Sequence, residues 1–260
     1  QNTPLLDTYT GAAAAYSLRK LSSSYSGSAI RVRRSSDNTE QDIGFNVFGE
    51  LDTVSLLAFA GAGDAFVKTW YCQSGNNNDA TQTAAANQPK IYDSVTGVIT
   101  ENGKPAVQFD GSDDYFDLTG FTVSASNYSL HAVTKDTSND MFLFDAESGR
   151  LVFDGRGSSR GVYYDGSWKG TTHSGTTQQL QSIYAISPSS GQSYVDGSQI
   201  NTGLSYTQTA IGGTIALGAN FTGADHHIVG VIQEFVLYDS DQSTNRTNIE
   251  DNINTFYSIY

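Results

Sequence analysis

The stretch Val107–Leu118, VQFDGSDDYFDL, constrains the fold more than any other part of the chain. Val107 and Phe109 alternate with polar neighbours, and the pattern resumes at Tyr115 to Leu118. Between them sits an acidic turn, Asp110-Gly111-Ser112-Asp113-Asp114. Alternation at period two puts apolar side chains on one face of a strand, and Gly, Asp and Ser favour a tight turn between two such strands. The stretch therefore predicts a half-buried β-hairpin. The chain after it repeats this form, with short strands expected at 128–134, 141–144, 151–153, 162–164, 182–186, 193–195 and 214–217. Asp165-Gly166 and Asp196-Gly197 read as hairpin turns. The longest run, 226–238, carries Gly230 as an expected bulge, and 240–257 predicts a closing helix with Ile249, Ile253, Phe256 and Tyr257 on one face.

The chain before Val107 has a different texture. Ala14, Leu18, Leu21 and Tyr25 fall at helical spacing and predict a helix over 12–25. Residues 29–33 alternate as a strand, 35–46 read as loop, 51–60 as a short helix and 66–71 as a strand. The polar run from Cys72 to Pro89 reads as a long loop. With 26 Gly, 4 Pro, 15 Tyr and 13 Phe, the composition suits short strands, tight turns and an aromatic core. The expected fold class is an all-β antiparallel sandwich with an N-terminal helical elaboration (1–88) on a core of 89–260, together forming one domain.

A net charge of −13 argues against nucleic-acid binding through phosphates. The charge is uneven: Arg19, Lys20, Arg31, Arg33 and Arg34 stand in residues 1–34 against one acid, Asp7. Such a patch either pairs with the acidic remainder or contacts an anion or sulfated glycan. Cys72 is the single cysteine, which excludes an intrachain disulfide and a Cys-based metal site; it is expected to be a structural thiol. No apolar run approaches the roughly 18 residues of a membrane span, and residues 1–10 lack signal-peptide features.

FDGSDDYFDL, SLHAVTK, GVYYDGSW, SYVDGSQI and the closing GVIQEFVLYDSDQSTNRTNIEDNINTFYSIY together resemble the concanavalin A-like lectin/glucanase (laminin G-like) superfamily. Glu234, Tyr238 and Asp239 fit its closing strand and helix. The resemblance implies a jelly roll and leaves activity open, because the fold hosts lectins, adhesins and glycosidases alike. AAAAYSLRKLSSSYSGSAIRVRRSSDNTEQDIGF, followed by WYCQSGNNNDATQ, resembles the N-terminal half of the α-L-arabinofuranosidase B catalytic domain. Similar segments occur in proteins of marine bacteria and their phages, virion and tail proteins included. That family usually has Asp where this chain has Cys72. Its nucleophile is a Glu in a Gly-Asn-Ala-Glu context, to which only Asp145-Ala146-Glu147 compares.

Glycosidases need two carboxyls about 5–5.5 Å apart (retaining) or about 6.5–9.5 Å apart (inverting). Glu147, Asp114, Asp154 and Glu234 are the catalytic candidates, and no Glu-x-Asp-x-x-Glu strand signature is present. Asp110, Asp113, Asp114 and Asp117 offer oxygen donors for calcium, or simply cap their own turn. Otherwise no cofactor is expected. His226 and His227 point to opposite faces of a strand, so at most one reaches a given site. Trp168, Tyr163 and Tyr164 are candidates for stacking on sugars. The leading expectation is a non-catalytic module at a virion surface or outside the cell, an adhesin or decoration protein whose partners are a glycan or neighbouring subunits, a homo-oligomer included. The alternatives are a glycoside hydrolase of α-L-arabinofuranosidase type and a purely structural subunit.

Overall fold

The computed structural model describes residues 3–118, 120, 122–123, 127–137, 141–148, 152–153, 163–164, 168–169, 176–187, 190–204 and 210–260. In chain order its strands are β1 Ala12–Ser17, β2 Ile30–Arg34, β3 Glu40–Ile43, β4 Ala65–Trp70, β5 Ala80–Thr81, β6 Lys90–Asp93 and β7 Gly97–Val98. There follow β8 Thr100–Glu101, β9 Lys104–Pro105, β10 Val107–Asp110, β11 Phe116–Leu118, β12 Tyr128–Asp136, β13 Phe144–Ser148 and β14 Val152–Phe153. The last are β15 Tyr163–Tyr164, β16 Trp168–Lys169, β17 Gln179–Ser187, β18 Ser190–Val195, β19 Ser198–Leu204, β20 Gly212–Leu217 and β21 Val229–Tyr238. Among the described residues three α-helices accompany them: α1 Leu5–Thr8, α2 Thr53–Ala60 and α3 Arg246–Tyr257.

All the strand pairs are antiparallel and resolve into two packed layers. In the first, β19, β18, β17, β12 and β21 run side by side, and the far edge of β21 is shared by β10 and β1. In the second, the order is β3, β2, β4, β5, β11, β20, β13, β14, β15 and β16. Pairing of β6 with both β10 and β4 joins the layers at a corner. The core between them is aromatic. Tyr16 and Phe235 of the first layer meet Trp70 and Phe144 of the second at ring separations of 6.2 and 5.5 Å.

Several expectations are corrected here. The Val107–Leu118 stretch is not a hairpin: β10 pairs with β21 and β6, while β11 pairs with β20 and β5. Its acidic turn is a corner that carries the chain from one layer to the other, and Phe109 meets Phe116 edge-on across the sandwich at 5.9 Å. Alternation reports which face is buried, not which strand is the neighbour, so both arrangements satisfy it. Likewise, the helix expected over 12–25 is strand β1 over its first half. Ala14 and Tyr16 face the inter-layer core, whereas Ala12 and Ala15 pack under α1 and α3. A strand buried on both faces has no polar alternation and is read as helix from its alanines. Strand β3 and the short β5 also lie in stretches expected to be loop. By contrast, the turn at Asp196-Gly197 joins β18 to β19, with both residues at positive φ, 50° and 73°.

The bulge in β21 falls at Gln233 and not at Gly230. Register slips where Val133 faces Glu234 but Thr134 faces Ile232. Ile232 and Phe235, three apart, would otherwise point to opposite faces; the extra residue puts both in the core. Gly230 answers a different need, since a Cβ there would lie 2.0 Å from the Lys135 carbonyl oxygen.

The outer face of the first layer is closed by α3 and α1, through Ile249, Ile253 and Tyr257 against Val133, Leu180 and Val236. Under this cover lies an ion pair. Arg19 donates from Nε to Glu234 Oε2 at 2.7 Å and from Nη2 to Oε1 at 2.8 Å, and both side chains are almost fully buried. Ser17 and Tyr257 hydroxyls donate to the same Oε2 at 2.8 and 3.1 Å. Burial works against the Arg19 charge, but the Glu234 carboxylate outweighs it and the guanidinium pKa is raised. Removing one partner strands a buried charge, so Glu234→Gln is expected to cost about 3–5 kcal/mol in urea unfolding at neutral pH. A loss below about 1 kcal/mol, the range of a solvent-exposed pair, would show that the pair is not desolvated as described.

Candidate functional site

The four candidate acids separate. Glu234 is spent on Arg19 and faces the underside of α3, away from solvent. Asp154 lies outside the described residues. Tyr163, Tyr164 and Trp168 sit on the paired strands β15 and β16, whose backbone is described and whose side chains are outside it.

Asp110, Asp113 and Asp114 come together at the corner turn, with ligand-type oxygens within 4.8 Å of one another. Asp117 does not belong to this group. The cluster is engaged with its own backbone: Asp110 Oδ1 accepts from Ser112 N at 2.7 Å, and Asp114 Oδ2 accepts from Asp110 N at 2.9 Å. Burial, reinforced by the charges of Asp110 and Asp113, pushes the Asp114 carboxyl up to about 7. Asp110 and Asp114 line a cleft of about 670 Å³ with Lys90, Glu101 and Lys135, but these cations are held by Asp64 and Asp93 and by Glu101. Asp117, expected as a fourth calcium donor, faces the other side of the second layer.

That outer side holds the other acids. On β13, Phe144 and Ala146 point into the core, so Asp145 and Glu147 point outward. On β11, Phe116 and Leu118 point inward and Asp117 outward. Register aligns them: Ala216 of β20 is the partner of Asp117 on one side and of Asp145 on the other. Asp117 and Asp145 are thus two strand spacings apart, about 10 Å between Cα atoms. Asp145 is buried and Oδ2 accepts from Phe221 N at 3.0 Å, which hangs the 218–228 loop on β13. Glu147 is exposed, and its Oε2 accepts from Thr214 N of β20 at 3.1 Å, so it leans over the strand that separates it from Asp117. Gly213, at φ +75°, leaves the room this needs; a Cβ there would lie 3.1 Å from Oε2. Asp117 is half-buried, and burial raises its pKa.

The 218–228 loop also carries the two histidines. His226 stacks on Phe142 at 4.2 Å and meets the Asp225 carboxylate, while His227 lies 6.2 Å from Tyr115, ring to ring. Cys72 is buried beside β1, its sulfur accepting from Ala15 N at 3.3 Å.

In the sequence Asp117 stood out only as an oxygen donor of the acidic turn, and Asp145 only as the neighbour of Glu147 in the Asp145-Ala146-Glu147 comparison. Their placement beside Ala216 comes from strands far apart in sequence. A buried carboxylate, an exposed one and a half-buried carboxyl shifted toward its protonated form on one sheet face can support acid and nucleophile chemistry on a glycoside.

Comparison with known proteins bears on this face. A family model described as "Alpha-L-arabinofuranosidase B, catalytic" matches residues 6–156, more than half of the chain and including β11 and β13. No curated protein sequence matches. Among solved structures, an arabinofuranosidase complexed with arabinofuranosyl-α-1,2-xylobiose is 19% identical, with a TM-score of 0.70 over 97% of this chain and 64% of that one. A GH54 α-L-arabinofuranosidase soaked with a cyclic sulfate inhibitor is 18% identical, with a TM-score of 0.73 over 97% of this chain and 65% of that one. At such identity these two establish a shared fold, a β-sandwich. The chain spans slightly less than two thirds of their length. None of these matches carries the concanavalin A-like superfamily or a phage protein.

The Asp114 shift makes a prediction about stability. A carboxyl whose folded pKa lies above its unfolded value is bound to a proton more tightly in the folded state, so stability falls as pH rises through the interval between them. Wild type is therefore expected to lose stability from pH 3.8 to about 7 relative to Asp114→Asn, the two converging at acid pH. Thermal unfolding across this range checks it, and parallel curves would show that Asp114 ionises normally.

Proposed function

Since the chain belongs to the α-L-arabinofuranosidase B catalytic family, we propose that it is a glycoside hydrolase domain releasing α-L-arabinofuranosyl groups from a glycan. The family match overturns the expectation of a non-catalytic adhesin or decoration module, which rested on missing catalytic signatures, the lost Glu context and the departure at Cys72 among them, on the resemblance to phage and marine surface proteins and on polar loops. Cys72 follows β4 and its sulfur packs against β1 in the core between the layers, not on the outer face that carries the acids of β11 and β13.

The observation that carries the reading is the outward pair Glu147 and Asp117, flanking β20 with Asp145 beside them. Glu147 supplies the nucleophile: an Oε atom attacks the anomeric carbon as the glycosidic C–O bond breaks. Asp117, held toward its protonated form by burial, gives its proton to the leaving oxygen. It then takes a proton from the water that releases arabinose and frees Glu147. Asp145 is a positioning residue, holding the 218–228 loop against the site. We propose that it acts outside the cell, where polymeric glycans are met, and that residues 1–260 form one catalytic domain. Support for the single domain is β1, which comes from the N-terminal part and pairs along β21 near the C-terminus.

Turnover of 4-nitrophenyl α-L-arabinofuranoside tests the assignment. Glu147→Gln and Asp117→Asn are each expected to lower kcat/KM by about 10²–10⁴-fold with unchanged circular dichroism. Because the acid must be protonated, the wild-type rate is expected to fall as pH rises through the raised pKa of Asp117, a limb that Asp117→Asn removes. No release of nitrophenol by wild type, or full activity in Glu147→Gln, would overturn the reading.

A further inference from the structure

A second cleft, of about 1010 Å³, opens between the loop after β3 and the last turn of α3. Arg19, Lys20, Phe48, Glu50, Lys104 and Phe256 contribute to its walls. In the second layer, β3 lies six strand spacings from β13, roughly 29 Å, so this cleft is separate from the face that carries Glu147.

The lip of the cleft is built to hold an aromatic ring in water. Asn46 Oδ1 accepts from Phe48 N at 2.9 Å and from Glu50 N at 3.1 Å, closing a tight turn. Gly49 O accepts from Lys20 N at 2.7 Å and anchors that turn to the chain leaving β1. Phe48 is left 70% exposed at the tip beside Val47 at 90%, so the turn presents an apolar pair at the lip. On the opposite wall, Phe256 presents its ring to the Lys104 ammonium at 4.2 Å and to the Arg19 guanidinium at 5.1 Å.

The charges of the cleft are not equally satisfied. Arg19 is neutralised by Glu234 and Lys104 by Glu50. Elsewhere Arg31, Arg34, Lys68, Lys90, Lys135 and Arg246 all meet carboxylates, and Arg33 donates to Gln88 and Asn38. Among the basic residues whose side chains are described, Lys20 alone makes no side-chain hydrogen bond or ion pair. Its charge is felt at a distance by the Asp7 carboxylate, and with no direct contact the ammonium offers an incoming anion a place on an otherwise repelling surface of net charge −13. Aromatic rings on the two walls suit the apolar faces of sugar rings.

We infer that this cleft binds an acidic glycan, a uronic-acid-bearing oligosaccharide whose carboxylate meets Lys20 and whose rings lie against Phe48 and Phe256. The ligand class rests on the glycan-hydrolase reading, whereas the site does not share a residue with it. Such a cleft anchors one stretch of a polysaccharide while another stretch reaches the face of β13.

Calorimetric titration of the whole chain with trigalacturonic acid, xylotriose and inorganic phosphate tests this. Trigalacturonate is expected to bind wild type, more weakly as salt is raised. Lys20→Gln and Phe48→Ser are each expected to weaken binding by about tenfold or more while leaving nitrophenyl arabinofuranoside turnover unchanged. No binding of trigalacturonate, equal binding of xylotriose or phosphate, or unchanged binding by Lys20→Gln would overturn the inference. Because calorimetry needs no turnover, lost binding with turnover intact sinks the cleft alone. Binding without turnover upholds the cleft and sinks the catalytic reading.

Discussion

The buried pair of Arg19 and Glu234 is the contact on which the rest of the molecule turns. Two charges taken out of water are tolerated only with close geometry and further hydrogen bonds, and here Ser17, Tyr257 and Asn252 supply them. Ser17 lies on β1, Tyr257 and Asn252 on α3, Arg19 just beyond β1, and Glu234 on β21. The pair therefore fixes the position of an N-terminal strand, a central C-terminal strand and the closing helix at once. Tyr16, next to Ser17, points the other way and stacks on Phe235 in the aromatic core, so the ion pair and the sandwich interior share the same two strands.

From that frame the outward acids follow by register. The inner faces of β11, β20 and β13 are packed with Phe116, Leu217, Ile215, Phe144 and Ala146. Once these are inside, Asp117, Ala216, Asp145 and Glu147 have one direction left to point. The small, fully buried Ala216 sits between two acids, and Gly213 leaves room for the Glu147 carboxylate. The site is thus a by-product of core packing on one side and of small residues on the other.

Much of the fold was legible because burial leaves a trace in local sequence. The alternation of β10, β11, β18 and β20, the Asp196-Gly197 turn and the face of α3 each reflect one buried side and one wet side. Strand β1 was misread as a helix because both of its sides are buried and alanine fills them. The corner at Asp110–Asp114 was misread as a hairpin because a turn's residues report its tightness and not the layer the chain enters next. Among the site residues, Glu147 stood out through its family resemblance and Asp114 through its acidic turn, yet only the first lies on the open face with Asp117. Glu234 looked like a free acid because its partner is 215 residues away in sequence.

Sequence by itself determined that this is an antiparallel β protein with a closing helix, because strand alternation, turn chemistry and helix periodicity are local properties. It also carried the resemblance to a catalytic family in its first half. Only the tertiary structure decided which acids are available for chemistry. It neutralised Glu234 with Arg19, folded Asp110 and Asp114 into a corner, and set Asp117, Asp145 and Glu147 on one face around Ala216. It likewise left Lys20 without a direct hydrogen bond or ion pair while every other described basic side chain found one. These outcomes depend on register between strands distant in the chain, and no local pattern encodes a distance between them.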